Sequence, residues 1–215
     1  MTTEDLAGRI AARYPTRFLR IYVRSKIRAD PVYAAVFERI GESSEPLLDI
    51  GCGIGILALY LRARGFRAPI RGVDTDDRKV AIARSVMPEA TAFNVADARA
   101  AIDPVGTIVL LDLLHYFRGD EQARILASAA RSATTVIIRD AIRDGSWRYR
   151  ITYLQEMFAR VTRWLRAERL HFPTRDEVMR PFDGFDAEVA PLYGRTPFNN
   201  YLFVFRRSAA GTTKE

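Results

Sequence analysis

The segment Leu47-Leu48-Asp49-Ile50-Gly51-Cys52-Gly53-Ile54-Gly55, followed by the apolar run Ile56 to Leu61, constrains this chain more than any other stretch. A short apolar run ends in an acid and three alternate glycines, and an apolar pattern of helical period then begins. The spacing predicts a strand, a tight loop and a helix. Glycines at 51, 53 and 55 permit positive φ and leave no Cβ to hold a ligand off the main chain. The helix, expected from near Ile54, aims its free amides and positive dipole end at the same place.

Three nucleotide-binding readings compete for this corner. A phosphate-cradling P-loop is excluded, because no Gly-Lys-Ser/Thr follows and the nearest downstream lysine is Lys79. A dinucleotide site could use Gly53, Gly55 and Ala58 in its G-x-G-x-x-G/A spacing. Asp49 speaks against it: an acid two residues before the first glycine wastes a buried strand position there, but it can orient the loop and accept from a ligand ammonium. On these residues the segment resembles motif I of the class I S-adenosylmethionine-dependent methyltransferases, an acid, one residue, then Gly-x-Gly-x-Gly. In that family the loop, here Asp49, Gly51, Cys52, Gly53 and Gly55, runs beside the methionyl part of the cofactor.

Two further acids strengthen the resemblance. Pro69 to Asp74 reads as a second strand ending in a carboxylate 19 residues beyond Gly55, and such a carboxylate can accept from both hydroxyls of a ribose. Gly72-Val73-Asp74 resembles motif II, which places Thr75 against the adenine. Asp76 and Asp77 read as caps of a helix over 78–87. Ala92 to Ala98 is a third strand running into Asp97. The resemblance puts Asp97 and the backbone of Ala98 at the adenine edge; taken alone Asp97 reads as a turn-forming aspartate, but three acids closing successive strands make chance much less attractive.

Gly106 to Leu111 is an unbroken β-branched and leucine run, as a central parallel strand requires. It leads into Asp112-Leu113-Leu114-His115-Tyr116-Phe117, which resembles motif IV and so places Leu111 and Asp112 beside the transferred methyl group. Asp120 reads as the cap of a helix over 122–131, and 135–139 as a fifth strand whose end, Arg139-Asp140, opens on the same side. Residues 4–40 read as two or three helices, with Asp30-Pro31 as a start signal. Tyr22, Arg24 or Lys26 there can supply the donor for a cofactor carboxylate, or simply form a basic surface face.

Between 142 and 171 the periodicity predicts a helix with Trp147, Ile151, Leu154, Phe158, Val161 and Leu165 on one stripe, widened by Tyr153, Met157 and Trp164. Arg148, Arg160, Arg163 and Arg166 fall opposite. This helix reads as a lid over the acceptor, or as a core or dimer-forming helix. A helix from Thr174, a strand from Gly184 and a final antiparallel strand over 199–205 place the turn Tyr193 to Phe198 at the ligand end.

The resemblance implies an α/β, Rossmann-like three-layer sandwich with a seven-stranded, mostly parallel sheet and an antiparallel last strand. We expect a single domain over 1–215, with N-terminal helices (1–40), a helical lid insertion (143–172) and a disordered tail (209–215). Among 215 residues there is no run of about 18 apolar ones to span a membrane. The polar N-terminus and the single cysteine, Cys52, point to a cytoplasmic protein. The net charge of +7 is carried almost wholly by arginine, with lysine only at 26, 79 and 214, and raises the prospect of an acidic partner.

Methyl transfer is an in-line displacement at a sulfonium carbon and needs an aligned acceptor and, for hydroxyl or carbon acceptors, a base. No Cys/His cluster has metal spacing. His115 is the candidate base, or else a packing residue of its loop. Tyr116, Asp140, Tyr153, Met157, Tyr193 and Phe198 are its expected pocket neighbours. The aromatic lid implies a small aromatic or hydrophobic acceptor, O- or C-methylated in secondary metabolism. A fainter similarity to methyltransferases of aryl-polyene pigment pathways rests on Leu-His-Tyr and Thr-Pro-Phe-Asn-Asn; an alternative substrate is an acyl or polyene chain on an acidic carrier protein, for which the arginine face of the lid has a use. An RNA methyltransferase would explain the charge, but the Asn-Pro-Pro-Tyr type motif of base methylases is absent after the fourth strand, and no DNA is expected.

Overall fold

The computed structural model describes residues 2–41, 43–87, 90–161, 170–194 and 196–208, and only the backbone of 155–161. Three helices come first: α1 (Thr3–Ala12), α2 (Arg17–Ala29) and α3 (Val32–Ile40). They are followed by β1 (Leu47–Ile50), α4 (Ile56–Ala63), β2 (Ile70–Asp74), α5 (Asp77–Ser85), β3 (Thr91–Val95) and β4 (Val105–Leu111). The chain continues through α6 (Gly119–Ser132), β5 (Ala133–Ala141), α7 (Trp147–Val161), α8 (Arg175–Met179), β6 (Phe185–Pro191) and β7 (Asn200–Arg207). The seven strands form one sheet in the order β3-β2-β1-β4-β5-β7-β6. The first five pair in parallel, and β7 lies antiparallel between β5 and β6. The strand order reverses between β1 and β4, and in open α/β sheets the crevice at such a reversal receives the ligand.

Side-chain alternation divides the core into two layers. Leu47, Val109, Ile137, Leu202 and Val204 pack beneath helices α1 to α5. Leu48, Ile108, Leu110, Val136, Ile138, Phe203 and Phe205 pack against α6 and α8. In the second layer Phe182 stacks on Phe205 with ring centroids 3.8 Å apart. Each such fully buried side chain stabilises the fold by roughly 1.5–3 kcal/mol before conformational entropy is counted.

Several local expectations shift. α4 begins at Ile56, two residues late, because Gly55 takes the left-handed φ of +81° in front of it. α3 starts one residue later than Asp30-Pro31 implies: Pro31 holds the N-cap position, and the Asp30 carboxylate just before it accepts from the Val32 amide at 3.1 Å. At α6 the cap is not Asp120: the Glu121 carboxylate accepts from the Arg118 amide at 3.0 Å.

The largest correction concerns α7. Trp147 and Leu154, expected on its buried stripe, are 59% and 65% exposed, whereas Thr152 is buried. Arg148, expected on the polar side, turns inward, donates to the Thr196 carbonyl at 3.0 Å and lies 4.3 Å over the Tyr193 ring. Thr152 accepts from the Asn199 amide at 2.9 Å. These anchors to the β6–β7 turn set the rotation of the helix, and periodicity alone cannot tell which stripe a polar anchor will draw inward. The expectations for Met157, Phe158, Arg160, Val161, Arg163, Trp164, Leu165, Arg166 and the 209–215 tail lie outside the described residues or side chains.

Candidate active site

The glycine corner sits at the carboxyl end of β1. Gly51, Gly53 and Gly55 have φ of +80°, +53° and +81°, a region that side-chain-bearing residues rarely enter. Their surroundings differ. A Cβ on Gly55 would come within 2.9 Å of Phe93 and 3.2 Å of Ala83, and one on Gly51 within 2.9 Å of Leu113, but one on Gly53 would meet nothing within 4 Å. The outer glycines therefore let the loop pack, and the middle one leaves the backbone open to a ligand. The loop is pinned from several directions. The Gly51 and Cys52 amides both donate to the Val73 carbonyl, at 2.8 and 3.0 Å. The Tyr14 hydroxyl donates to the Ile54 carbonyl at 3.1 Å.

Asp74 clamps the corner. Its Oδ2 accepts from the Gly53 amide and its Oδ1 from the Asp76 amide, both at 2.9 Å. Each oxygen keeps a second lone pair for a ligand hydroxyl. Asp49 lies beneath the loop, 3% exposed, with no cation recorded against it among the described residues. Burial, reinforced by the nearby Asp74 carboxylate, pushes its pKa up to about 7. A buried carboxylate that lacks a positive partner, next to an open glycine backbone, fits the ammonium end of an adenosyl amino acid. Cys52 is buried behind the loop, and burial raises its thiol pKa.

Asp97 follows β3, whose end is tied to β2 through the Ala96 amide and the Asp74 carbonyl at 3.1 Å. The three acids thus stand at the same edge of three adjacent strands. Asp97 also behaves as a turn aspartate: it accepts from the Arg99 amide at 2.8 Å, and Arg99 grips both of its oxygens, at 2.9 and 2.6 Å. Arg99 continues to Glu121 at 2.7 Å. Thr75 is exposed and Ala98 is buried.

Beyond β4 and β5 the site has two differently built halves. On the α6 side, the Nδ1 of His115 lies 2.6 Å from the Oδ1 of Asp140. Asp140 also accepts from the Leu114 and Ala141 amides, at 2.7 and 2.8 Å. It is fully buried, so it does not line a pocket as expected, and instead fixes the imidazole. The His115 ring stacks on Phe172 at 5.3 Å and tilts against Tyr116 at 4.0 Å. Gln122 ties this arrangement together, its amide nitrogen reaching the carbonyls of Leu114, Phe117 and His171 at 2.9, 3.0 and 2.6 Å.

On the side of the N-terminal helices, the buried Arg139 guanidinium joins Asp30 at 2.8 Å and Asp112 at 2.5 Å through one nitrogen. The Lys26 ammonium is 2.9 Å from Asp30 and 3.8 Å from Asp112. Lys26 is thus held by two carboxylates of its own chain. Burial works against ionised Asp30, but Arg139 and Lys26 outweigh it and hold the pKa low. For Asp112 burial wins and the pKa is raised. Asp112 has a left-handed φ of +53°, unusual for a residue with a side chain, and its amide donates to the Arg139 carbonyl at 2.8 Å. Leu111, immediately before it, is half-buried.

The remaining expected pocket residues belong to α7 and to the segment joining β6 and β7. Tyr153 lies 6.2 Å from Phe172 in an edge contact, and the Tyr193 hydroxyl meets that of Tyr201 at 3.2 Å. Phe198 is half-buried in the β6–β7 turn. The side chain of Met157 is not described. Sequence reasoning missed Tyr14, Gln122 and Phe172, which carry no local signal. Arg139 had one, a charge inside an otherwise apolar strand run.

The strand order, the glycine corner at its reversal and the acids along one edge define a class I, Rossmann-like methyltransferase architecture. A family profile described as a methyltransferase domain matches residues 21–192, and the chain belongs to that family. It is accordingly an S-adenosylmethionine-dependent enzyme, and the corner just described fits that cofactor. Among solved structures it is similar to the magnesium protoporphyrin IX methyltransferase ChlM from Synechocystis PCC 6803 with bound SAH, at TM-score 0.66 and 19% identity over 95% of this chain and 94% of that one. The methyltransferase in complex with the Haloferax volcanii activator Trm112 gives 0.68 and 15% over 98% and 99%. An O-methyltransferase from Planctomyces limnophilus in complex with apigenin gives 0.65 and 16% over 96% and 62%. A comparison with curated protein sequences found no match. No helix among the described residues is long and apolar enough to cross a membrane.

Proposed function

We propose that this enzyme methylates a small, flat, hydrophobic acceptor bearing an acidic hydroxyl, at that oxygen or at a ring carbon activated by it, with His115 as the general base. The observation that carries the reading is the Asp140–His115 pair, 2.6 Å apart at the carboxyl ends of β5 and β4. A carboxylate on Nδ1 fixes the tautomer with its lone pair on Nε2, the arrangement that lets an imidazole take a proton. Removal of the acceptor proton raises the electron density of a phenol at its oxygen and at its ortho carbon. Tyr116 and Phe172 lie against the imidazole and Tyr153 against Phe172, aromatic surroundings that suit a planar acceptor.

S-adenosylmethionine, when bound, supplies an electrophilic methyl group on sulfur. The residues that would hold it are Asp49 at the ammonium, the Gly51–Gly55 backbone along the methionyl chain and Asp74 at the ribose diol. Asp97 and Ala98 fall at the adenine end, where Asp97 would share its lone pairs with Arg99. Since Lys26 already spans two carboxylates, we assign it to closing the N-terminal helices over the site rather than to the cofactor carboxylate. In this reading α7 borders the acceptor space as a lid. The similar structures, a magnesium protoporphyrin IX methyltransferase and an O-methyltransferase in complex with apigenin, support an aromatic acceptor.

The test is turnover with S-adenosylmethionine across a panel of phenols. His115→Ala should lower kcat by about 10²–10⁴-fold with S-adenosylhomocysteine affinity unchanged. Wild-type turnover in that variant rules the base out.

A further inference from the structure

Helix α2 buries one apolar stripe and displays another. Val23 and Ile27 are 0% and 4% exposed and, with half-buried Leu19, face the core. On the opposite side Phe18, Ile21 and Tyr22 are 60%, 60% and 40% exposed. These positions follow the i, i+3, i+4 spacing of a continuous ridge, which Ser25 extends by a further turn. Single exposed apolar residues are ordinary, but three large ones in one ridge are not scatter.

The same helix carries Arg17, Arg20, Arg24 and Arg28, all exposed, and no acid. Glu4 of α1 pairs with both Arg24 and Arg28, the latter at 2.8 Å, and so offsets only one of these charges.

The helix also lies at the mouth of the site. Lys26 reaches Asp112 beyond β4, and the β6–β7 turn presses on its C-terminal end, where a Cβ on Gly194 would lie 2.6 Å from Pro31 and 3.2 Å from the Ala29 carbonyl. Across that turn, anchored to it by Arg148, α7 exposes Trp147.

We infer that α2 is an interfacial helix that seats the enzyme on an anionic lipid surface, its Phe18-Ile21-Tyr22 ridge entering the headgroup boundary and its arginines meeting lipid phosphates. A helix with a second apolar stripe that is largely exposed and a cationic flank is the signature of such binding. The ridge is convex, so a deformable bilayer accommodates it directly. An acidic protein surface would match the arginines but not the ridge, and a nucleic acid would find no stacking partner in Ile21. A bilayer-seated mouth would also take a hydrophobic acceptor from the membrane. The inference is independent of the reaction proposed above, because vesicle binding is read without turnover.

The experiment is flotation of the full chain with vesicles of phosphatidylcholine alone or with about a third phosphatidylglycerol, and with soluble polyglutamate as a competitor. Binding should require the anionic lipid and weaken with salt. Phe18→Ser with Ile21→Ser should weaken it at least about tenfold, Arg17→Glu should weaken it severalfold, and Ser25→Leu, which lengthens the ridge, should strengthen it. Calorimetric binding of S-adenosylhomocysteine verifies that each variant is folded. If the double variant fails that check, Ser25→Leu decides alone. No flotation with anionic vesicles, equal flotation with neutral ones, full displacement by polyglutamate, or indifference to Ser25→Leu would each overturn the inference.

Discussion

The cofactor corner and the acceptor side are built by opposite means. The corner is local: Asp49 to Gly55 is one run of chain, clamped by Asp74 through the Gly53 amide and pinned further by the Val73 carbonyl and the Tyr14 hydroxyl. The acceptor side is assembled from segments far apart in sequence. His115 is oriented by Asp140, and Gln122 bonds the His171 carbonyl. The loop after β4 is also braced from the N-terminal helices through Asp30, Arg139 and Asp112. In the proposed reaction one half is therefore held by backbone conformation and the other by buried side-chain pairs. The first should fail through steric strain, the second through lost proton chemistry.

Substitution in the corner should have the largest effect on cofactor binding. Gly55→Val needs a left-handed β-branched residue and drives its Cβ into Phe93 and Ala83. The strain alone costs about 1–3 kcal/mol, and calorimetric binding of S-adenosylhomocysteine should fall at least about 100-fold. Retention of near-native affinity would break the contrast.

On the proposed acceptor side, Asp140→Asn should lower kcat by up to about 10⁴-fold, as far as loss of His115 itself, because it favours the wrong imidazole tautomer, with cofactor affinity unchanged. An equal loss of cofactor binding would show that the two halves are not separable.

Asp49 links the corner to pH. Burial places its pKa at about 7, above that of the unfolded chain, so between pH ~4 and ~7 the folded apo protein holds a proton that the unfolded chain has lost. Its contribution to apo stability therefore declines as pH rises through that window. Binding of a ligand ammonium favours the ionised form, so affinity for S-adenosylhomocysteine should tighten as pH rises through about 7. Asp49→Asn should bind about tenfold or more weakly, flatten that pH dependence and raise the apo melting temperature at pH 8. A pH-independent wild type would remove Asp49 from the ammonium.

The smallest effect belongs to Arg99→Ala. Its pair with Asp97 is solvent-exposed, so cofactor affinity should change by less than about threefold and the melting temperature by about a degree at most.

Much of this architecture was legible without coordinates wherever the information is local. Alternate glycines after an apolar run can hardly be anything but a strand-to-helix turn, and acids closing successive strands mark one edge of a sheet. The position of His115 just past a fully apolar strand was readable on the same grounds. The rotation of α7 was not, because Trp147 and Leu154 satisfy the helical period whichever way they point. Its anchors, the Thr196 carbonyl and the Asn199 amide, are backbone groups with no sequence signature. Asp140 looked like a pocket residue because it closes a strand at the same end of the sheet as the acids, yet two backbone amides and an imidazole draw its side chain inward.

By itself, then, the sequence determined the strand-loop-helix corner, the parallel sheet and the row of acids, since these follow from backbone freedom and short-range periodicity. Only the tertiary structure decided that Asp140 positions His115, that Arg139 bridges Asp30 and Asp112, and that α2 leaves an apolar ridge outside the core. Each of those outcomes depends on which buried charge or donor finds a partner many residues away, and that is fixed by packing in three dimensions.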